Sequence, residues 1–223
     1  MKCFYHNDLD GRCAGAVVAQ YTQNYNQEDY FEVDYIKPLP IDKISENETV
    51  YLVDYSFKED TAWQLDEILK KTKNVIWCDH HTSSLNLLQK RPELKQIYGL
   101  VQDKISGAAL TYMYLYNCNF DSLPYCIKLV SDYDCWLYKY DPDTTKFKIG
   151  IDMIEHNALN IIWHKLFNEI DRHSVLNDII DKGNTIKQYI DQDNTQYCQT
   201  WAYESEIDGH KCLVVNRKSN SWI

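Results

Sequence analysis

The chain is poor in glycine and lacks a CxxC pair, a dense basic run and any long apolar stretch, and each absence removes a class of protein. Its seven glycines are scattered over 223 residues, with neither a P-loop nor a dinucleotide-binding G-x-G-x-x-G, so triphosphatase and nicotinamide chemistry are not suggested. No G-x-S-x-G or reactive-cysteine arrangement supplies a protein nucleophile. Eight cysteines are present (Cys3, Cys13, Cys78, Cys118, Cys126, Cys135, Cys198 and Cys212). None form a CxxC pair, and several sit in apolar runs such as VIWCDHH and YCIKLV. That suits buried thiols in a reducing compartment rather than disulfides or a zinc ribbon. No run approaches the roughly 18 apolar residues of a membrane span. The opening MKCFYHNDLDG turns polar too early for a secretion signal, so a cytoplasmic location and no membrane partner are expected.

Lys and Arg number 23 against 33 Asp and Glu, a formal charge of −10. A protein that grips long duplex nucleic acid through its phosphates is therefore disfavoured. A small phosphorylated substrate is not, because acidic side chains gathered around cations present a positive field to a ligand.

The 44% hydrophobic content can furnish a core for one large domain, or a domain with an appendage. Short β-rich runs alternate with helical patterns in the first half. Strands are expected over Lys2 to His6, Tyr30 to Ile36, Thr49 to Tyr55, Asn74 to Cys78 and Gln96 to Val101. Helices are expected over Gly11 to Gln23, Glu59 to Lys71, Ser106 to Tyr116 and Pro124 to Asp132. The fold class is α/β, a parallel, doubly wound sheet flanked by helices. After Asp141 the pattern turns mainly helical: IGIDMIEHNALNIIWHKLFNEI has apolar residues at helical spacing. SVLNDIIDKGNTIKQYIDQDNTQYCQTW reads as a long amphipathic helix, with Gly183 as a weak point. SEIDGHKCLVVN has the DG turn of a hairpin. The expected division is a catalytic domain at 1–140, a helical extension at 141–203 and terminal strands at 204–223.

Four acidic or imidazole clusters carry the chemistry: HNDLDG at His6 to Gly11, VDY at Asp54, CDHH at Asp79, His80 and His81, and SDYD at Asp132 and Asp134. Three lie at the carboxyl ends of expected strands, and loops there share one crevice in an open α/β sheet. His6, Asp8 and Asp10 alternate as the chain leaves a strand, and Gly11 permits a close approach. An EF-hand frame starting at His6 would put Val17 where the bidentate Glu belongs, which excludes that calcium loop. A capping Asp at the helix start would explain Asp10 alone. Asp54 ends the apolar run TVYLVD, where an unpaired carboxylate is costly unless it caps a turn or meets a cation. The pair His80 and His81 suits one ring on a metal and one on a phosphate.

In order and spacing, HNDLDG, VDYSF, DHHTS and SDYDCW resemble the four motifs of the DHH phosphoesterases, closest to the branch of nano-RNases that degrade very short oligonucleotides. The resemblance runs from Met1 to about Trp136. It implies that His6, Asp8 and Asp10 divide between two metals, that Asp54 bridges them, that His80 ligates the second and that His81 contacts the substrate phosphate. Asp79 would orient the imidazoles. In the fourth motif the match of Tyr133-Asp134-Cys135-Trp136 to the family's YDTW favours Asp134 as ligand, with Asp132 the alternative. Imidazole and carboxylate ligands without thiolate fit Mn2+, with Mg2+, Co2+ or iron as competitors and zinc not excluded. Two ions about 3.5–4 Å apart would activate a water for in-line attack. The implied activity is metal-dependent hydrolysis of short oligonucleotides. Pyrophosphate or polyphosphate hydrolysis, cyclic dinucleotide hydrolysis and a non-catalytic metal-retaining module are the rivals, and a homo-oligomer is compatible with all of them.

The family's C-terminal domain usually carries a GGGH-type motif, which this sequence lacks. A second domain that is lost, or supplied by a partner, is the expectation. His210, Lys211, Arg217 and Lys218 are either leftover substrate contacts or, more simply, solvated charge. Trp136 and Tyr55 lie near the proposed metals as base-stacking candidates or as packing. The helix opening at Ser106-Gly107 offers amides to a phosphate or has an ordinary cap.

Overall fold

The computed structural model describes residues 1–168 and 172–216. Four short strands, β1 (Lys2–His6), β2 (Tyr30–Val33), β3 (Val50–Val53) and β4 (Val75–Cys78), form one parallel sheet in the order β2-β1-β3-β4. Phe4 sits opposite Phe31 on one side and Leu52 on the other, and Leu52 sits opposite Trp77. Alternation along the strands sends side chains to two faces. Cys3, Tyr5, Tyr51, Val53 and Cys78 join a core with α1 (Leu9–Thr22), α4 (Gly107–Tyr116) and α5 (Tyr125–Asp134). Phe4, Val50, Leu52, Val75 and Trp77 join a second core with α2 (Trp63–Lys71) and α3 (Thr82–Lys90). Burial on both faces explains why these strands read as continuous apolar runs. The strand order reverses between β1 and β3, and at such a switch point the loops leaving the two strands part and open a crevice.

The expected strand over Gln96 to Val101 is replaced by two isolated parallel bridges to β4 and its exit, Ile76 with Tyr98 and Asp79 with Val101. Gly99 interrupts the ladder with φ 123, in a spot where a side chain would strike the Trp77 carbonyl. The first helix begins at Leu9, two residues before its expected start, because Asp8 is the N-cap and accepts from the Gly11 amide at 2.9 Å.

The run expected at helical spacing from Ile149 onward is divided between the end of α6 (Asp143–Ile151) and α7 (Ile161–Phe167). Asn157 and Asn160 break it by accepting from the backbone amides of Leu159 and Ile162 at 3.1 and 2.9 Å. By contrast α8 (Arg172–Trp201) runs straight through Gly183. A side chain there would collide with the Lys146 carbonyl, and one on Gly150 with that of Ile179. The glycine that looked like a helix breaker is what lets α8 cross α6. The hairpin of β5 (Tyr203–Ile207) and β6 (His210–Val214) is antiparallel. Asp208 and Gly209 turn it with φ of 50 and 80, the two positive values of a type I′ turn. No helix among the described residues is long and apolar enough to cross a membrane.

Candidate metal centre

The clusters on β1, β3, β4 and α5 meet in one place. Asp54 follows β3 in a left-handed conformation (φ 52), its amide held by the Cys78 carbonyl at 2.8 Å. Asp tolerates this backbone better than most residues. The side chain is 1% exposed, and neither carboxylate oxygen has a hydrogen-bond partner. His80 Nε2 stands 3.3 Å from Asp54 Oδ1, 3.2 Å from Asp134 Oδ2 and 3.8 Å from Asp10 Oδ2. The Oδ2 atom of Asp134 is likewise buried without a hydrogen-bond partner. Two nearby acids with orphaned oxygens are an expensive arrangement unless a cation meets them.

The other groups are held in place. His6 Nδ1 lies 2.7 Å from Asp8 Oδ2. Asp10 receives the amides of Gly107 and Ala108, at 2.6 and 3.0 Å, from the amino terminus of α4. That pairing revises two expectations. Asp8, not Asp10, caps α1, and at the opening of α4 the amides of Gly107 and Ala108 are spent on the Asp10 carboxylate and that of Ser106 on the Ser131 hydroxyl at 3.1 Å, rather than offered to phosphate. Gly107 is required for the approach, because a Cβ there would lie 2.5 Å from that of Asp54. Asp79 accepts from His81 Nδ1 at 2.7 Å and from the Ser84 hydroxyl, which fixes the His81 proton on Nδ1 and leaves Nε2 to face a ligand.

Three sets of ligand atoms lie within 4.8 Å of one another: His6, Asp8 and Asp54; Asp54, His80 and His81; and His80, Asp134 and Cys135. Asp54 belongs to two of them, as does His80. Cys135 was missed in the sequence, where it stood inside a quoted motif with nothing to single it out. Its thiol alters the expectation of a thiolate-free donor set. Asp132 does not join the centre. It accepts from the amides of Lys139 and Tyr140 at 2.9 and 3.1 Å and from the Thr144 hydroxyl at 2.5 Å, and so anchors the turn into α6.

Burial pushes the Asp54 carboxyl well above the usual carboxylate range, and repulsion from Asp10, Asp8, Asp79 and Asp134 adds to it. Burial, then Asp10, raises Asp134 to about 7. Burial also raises Asp10. Burial lowers the His80 imidazole, but a hydrogen bond to Cys135 and the charges of Asp10, Asp134 and Asp79 outweigh it and lift the group to about 9. At Asp8 burial acts upward, yet His6 and the Gly11 amide bring it down to about 2. Each raised carboxyl is a demand for positive charge.

Tyr55, flagged beside its motif, is buried and stacks on Tyr35. Tyr35 is the aromatic at the centre, its ring centroid 5.1 Å from that of His6 and 6.4 Å from that of His81. No sequence signal marked it. Trp136 is 79% exposed, with φ 55. His210 and Lys211 lie exposed on β6, while Arg217 and Lys218 lie outside the described residues.

The fold and site define a parallel α/β protein whose clustered His and Asp residues, with one Cys, can coordinate divalent cations, as a metal-dependent hydrolytic centre requires. Neither protein-family models nor curated proteins give a match. Among solved structures the chain is similar to the crystal structure of an uncharacterized protein from Helicobacter pylori G27. The TM-score is 0.48 and the identity 14%, over 83% of this chain and 63% of that one.

Proposed function

We propose that this chain is a metal-dependent phosphodiesterase that hydrolyses short oligonucleotides, of the DHH type that its motifs resemble. The observation that carries the reading is Asp54, a fully buried carboxylate with two unpartnered oxygens that belongs both to the His6 and Asp8 set and to the His80 and His81 set. A carboxylate so placed would bridge two cations. His6, Asp8 and Asp54 would hold one, and Asp54, His80 and Asp134 the other with the Cys135 thiol beside them. Asp10, which joins none of the three sets and is held by two α4 amides, would complete the shell from its place 3.8 Å from His80 Nε2. Asp134 is preferred to Asp132 because its Oδ2 is unspent, whereas both oxygens of Asp132 are occupied. Mn2+ is the proposed pair, with Mg2+ or Co2+ as substitutes.

When bound, such a pair supplies an activated water and neutralises charge on the phosphoryl oxygens. The chain does the rest. Asp79 holds the His81 tautomer so that Nε2 meets a substrate phosphate, and Asp10, tied to two amides, cannot swing away. The exposed Trp136 favours oligonucleotides over pyrophosphate. A bulky residue with positive φ is strained, and Trp136 combines that backbone with an indole exposed to solvent two residues from Asp134. An indole has a face for a base and nothing for pyrophosphate. Residues 1–140 form the proposed catalytic unit, 141–203 its helical extension and 204–223 a terminal appendage.

The test is Mn2+-dependent release of mononucleotide from a five-residue RNA, run beside pyrophosphate, polyphosphate and a cyclic dinucleotide. Turnover of the RNA is expected. Turnover of pyrophosphate alone would transfer the site to that rival, and Mn2+ binding without turnover of any substrate would make the chain a metal-retaining binding module.

A further inference from the structure

A cleft of about 430 Å³ shares Asp8, Asp10 and Asp134 with the metal centre and is also lined by Arg12, Lys148 and His156. Its volume suits a small ligand rather than a duplex. Arg12 lies in the opening turn of α1, where a cation opposes the helix dipole. The fold nevertheless holds it firmly. Its Nε and Nη2 donate to the two carboxylate oxygens of Glu32, on β2, at 3.0 and 2.9 Å. Its Nη1 lies 3.4 Å from His156 Nε2. The other ring nitrogen of His156 is 2.8 Å from the Ile154 carbonyl, which can only accept, so Nδ1 carries the proton and Nε2 accepts from Arg12.

A guanidinium has five N–H groups, of which these contacts engage three. Two remain on a group whose plane is already fixed, so a ligand meets it with little ordering left to do. A planar fork of donors matches phosphate oxygens. Lys148, paired with Asp152 and with its Nζ 5.2 Å from the centroid of the Tyr133 ring, adds a second cation to the same cleft. The acidic side chains shared with the metal centre would repel an anion by themselves. The arrangement makes sense when cations occupy that side and an anionic chain continues past them.

We propose that Arg12, clamped by Glu32 and His156, binds a second phosphate of the substrate, next to the one attacked at the metal centre. The inference rests on the phosphodiesterase reading and narrows it: the substrate is a strand bearing at least two phosphates, and a lone phosphodiester is a poor ligand.

The test uses uridine dinucleotides carrying a 5′-phosphate, a 3′-phosphate or neither. Binding is measured by titration calorimetry with Ca2+ and Mn2+, and hydrolysis is followed separately with Mn2+. Wild type should bind one of the doubly phosphorylated probes about 10- to 100-fold more tightly than the plain dinucleotide, the range of a charge-assisted hydrogen-bonded contact. Arg12→Gln should remove that preference and leave the plain dinucleotide unchanged, while Arg12→Lys, which keeps the charge and loses the fork, should retain only part of it. The unfolding midpoint of each variant separates loss of the contact from loss of the fold, and Arg12→Lys stands in if Arg12→Gln does not fold. An equal preference in both variants and wild type, or none in wild type, overturns the proposal. An Arg12-dependent preference without hydrolysis of any dinucleotide would sink the phosphodiesterase reading and leave the anion site standing. Hydrolysis without preference would do the reverse.

Discussion

Replacing Asp54 by Asn tests whether that buried carboxylate exists for a cation. Asn keeps the shape and accepts the left-handed backbone at φ 52, so the change removes charge and little else. Without metal at pH 8, the wild-type protein must keep an ionised group with no hydrogen-bond partner or protonate it. A buried carboxylate costs several kcal/mol, and the protonated His80 imidazole 3.3 Å away offsets only part of that because it also faces Asp134 and Asp10. An unsatisfied amide in its place costs roughly 1–3 kcal/mol. The difference, about 2 kcal/mol, should make the metal-free variant more stable than wild type, a rise in Tm of about 4–8 °C for a chain of this size.

The pH dependence has a definite sign. The folded-state pKa of Asp54 is raised, so the folded protein binds the extra proton above the unfolded value of about 3.9 and loses stability as pH rises through the folded value. Asp134, raised to about 7, acts in the same direction. The advantage of Asp54→Asn should therefore shrink towards zero at pH 5. Adding Mn2+ should invert the order, because wild type gains about 2.7 kcal/mol at a hundredfold excess over Kd while the variant has lost the shared ligand. Differential scanning calorimetry in EDTA and in Mn2+, at pH 5 and 8, reads all four states. A variant less stable than wild type in EDTA at pH 8, or an equal Mn2+ shift in both proteins, would refute the reasoning.

Three further perturbations address neighbouring parts of the site. Cys135 lies with His80 and Asp134, so the Co2+-loaded protein should show a near-ultraviolet thiolate charge-transfer absorption that Cys135→Ser abolishes; a spectrum unchanged by the substitution would leave the thiol outside the coordination sphere. Gly107→Ala would drive a methyl into Asp54, at a cost of about 1–3 kcal/mol, and should weaken Mn2+ binding measured by calorimetry; an unchanged affinity would mean that α4 does not set the position of that carboxylate. Asp132→Ala should destabilise the protein by about 1–3 kcal/mol through orphaned donors while leaving Mn2+ affinity intact, and a lost metal site with little stability change would reverse the assignment of Asp132 and Asp134.

Strands β1, β3 and β4 were legible because burial on both faces makes them apolar runs ending in polar clusters, and one switch point suffices to bring such ends together. What stayed hidden depends on contacts between distant segments. Asn157 and Asn160 sit within a helical spacing, and only their bonds to nearby amides reveal that they stop it. Gly183 has the signature of a helix fault, yet its role is set by the Lys146 carbonyl across the α6 crossing.

The acids of the fourth motif illustrate the same limit inside the site. Asp132 and Asp134 are two residues apart on one helix, so they point to different sides of it. Composition cannot say which side faces the crevice. The turn after α5 decides it, because the amides of Lys139 and Tyr140 come back to Asp132 and consume its oxygens. Asp10 is the counterpart from the other direction: its local sequence reads as a cap, but its partners lie 97 and 98 residues away. A ligand-rich motif therefore identifies candidates, and the hydrogen bonds of the finished fold divide them into those already satisfied and those, Asp54 and Asp134, still short of a partner.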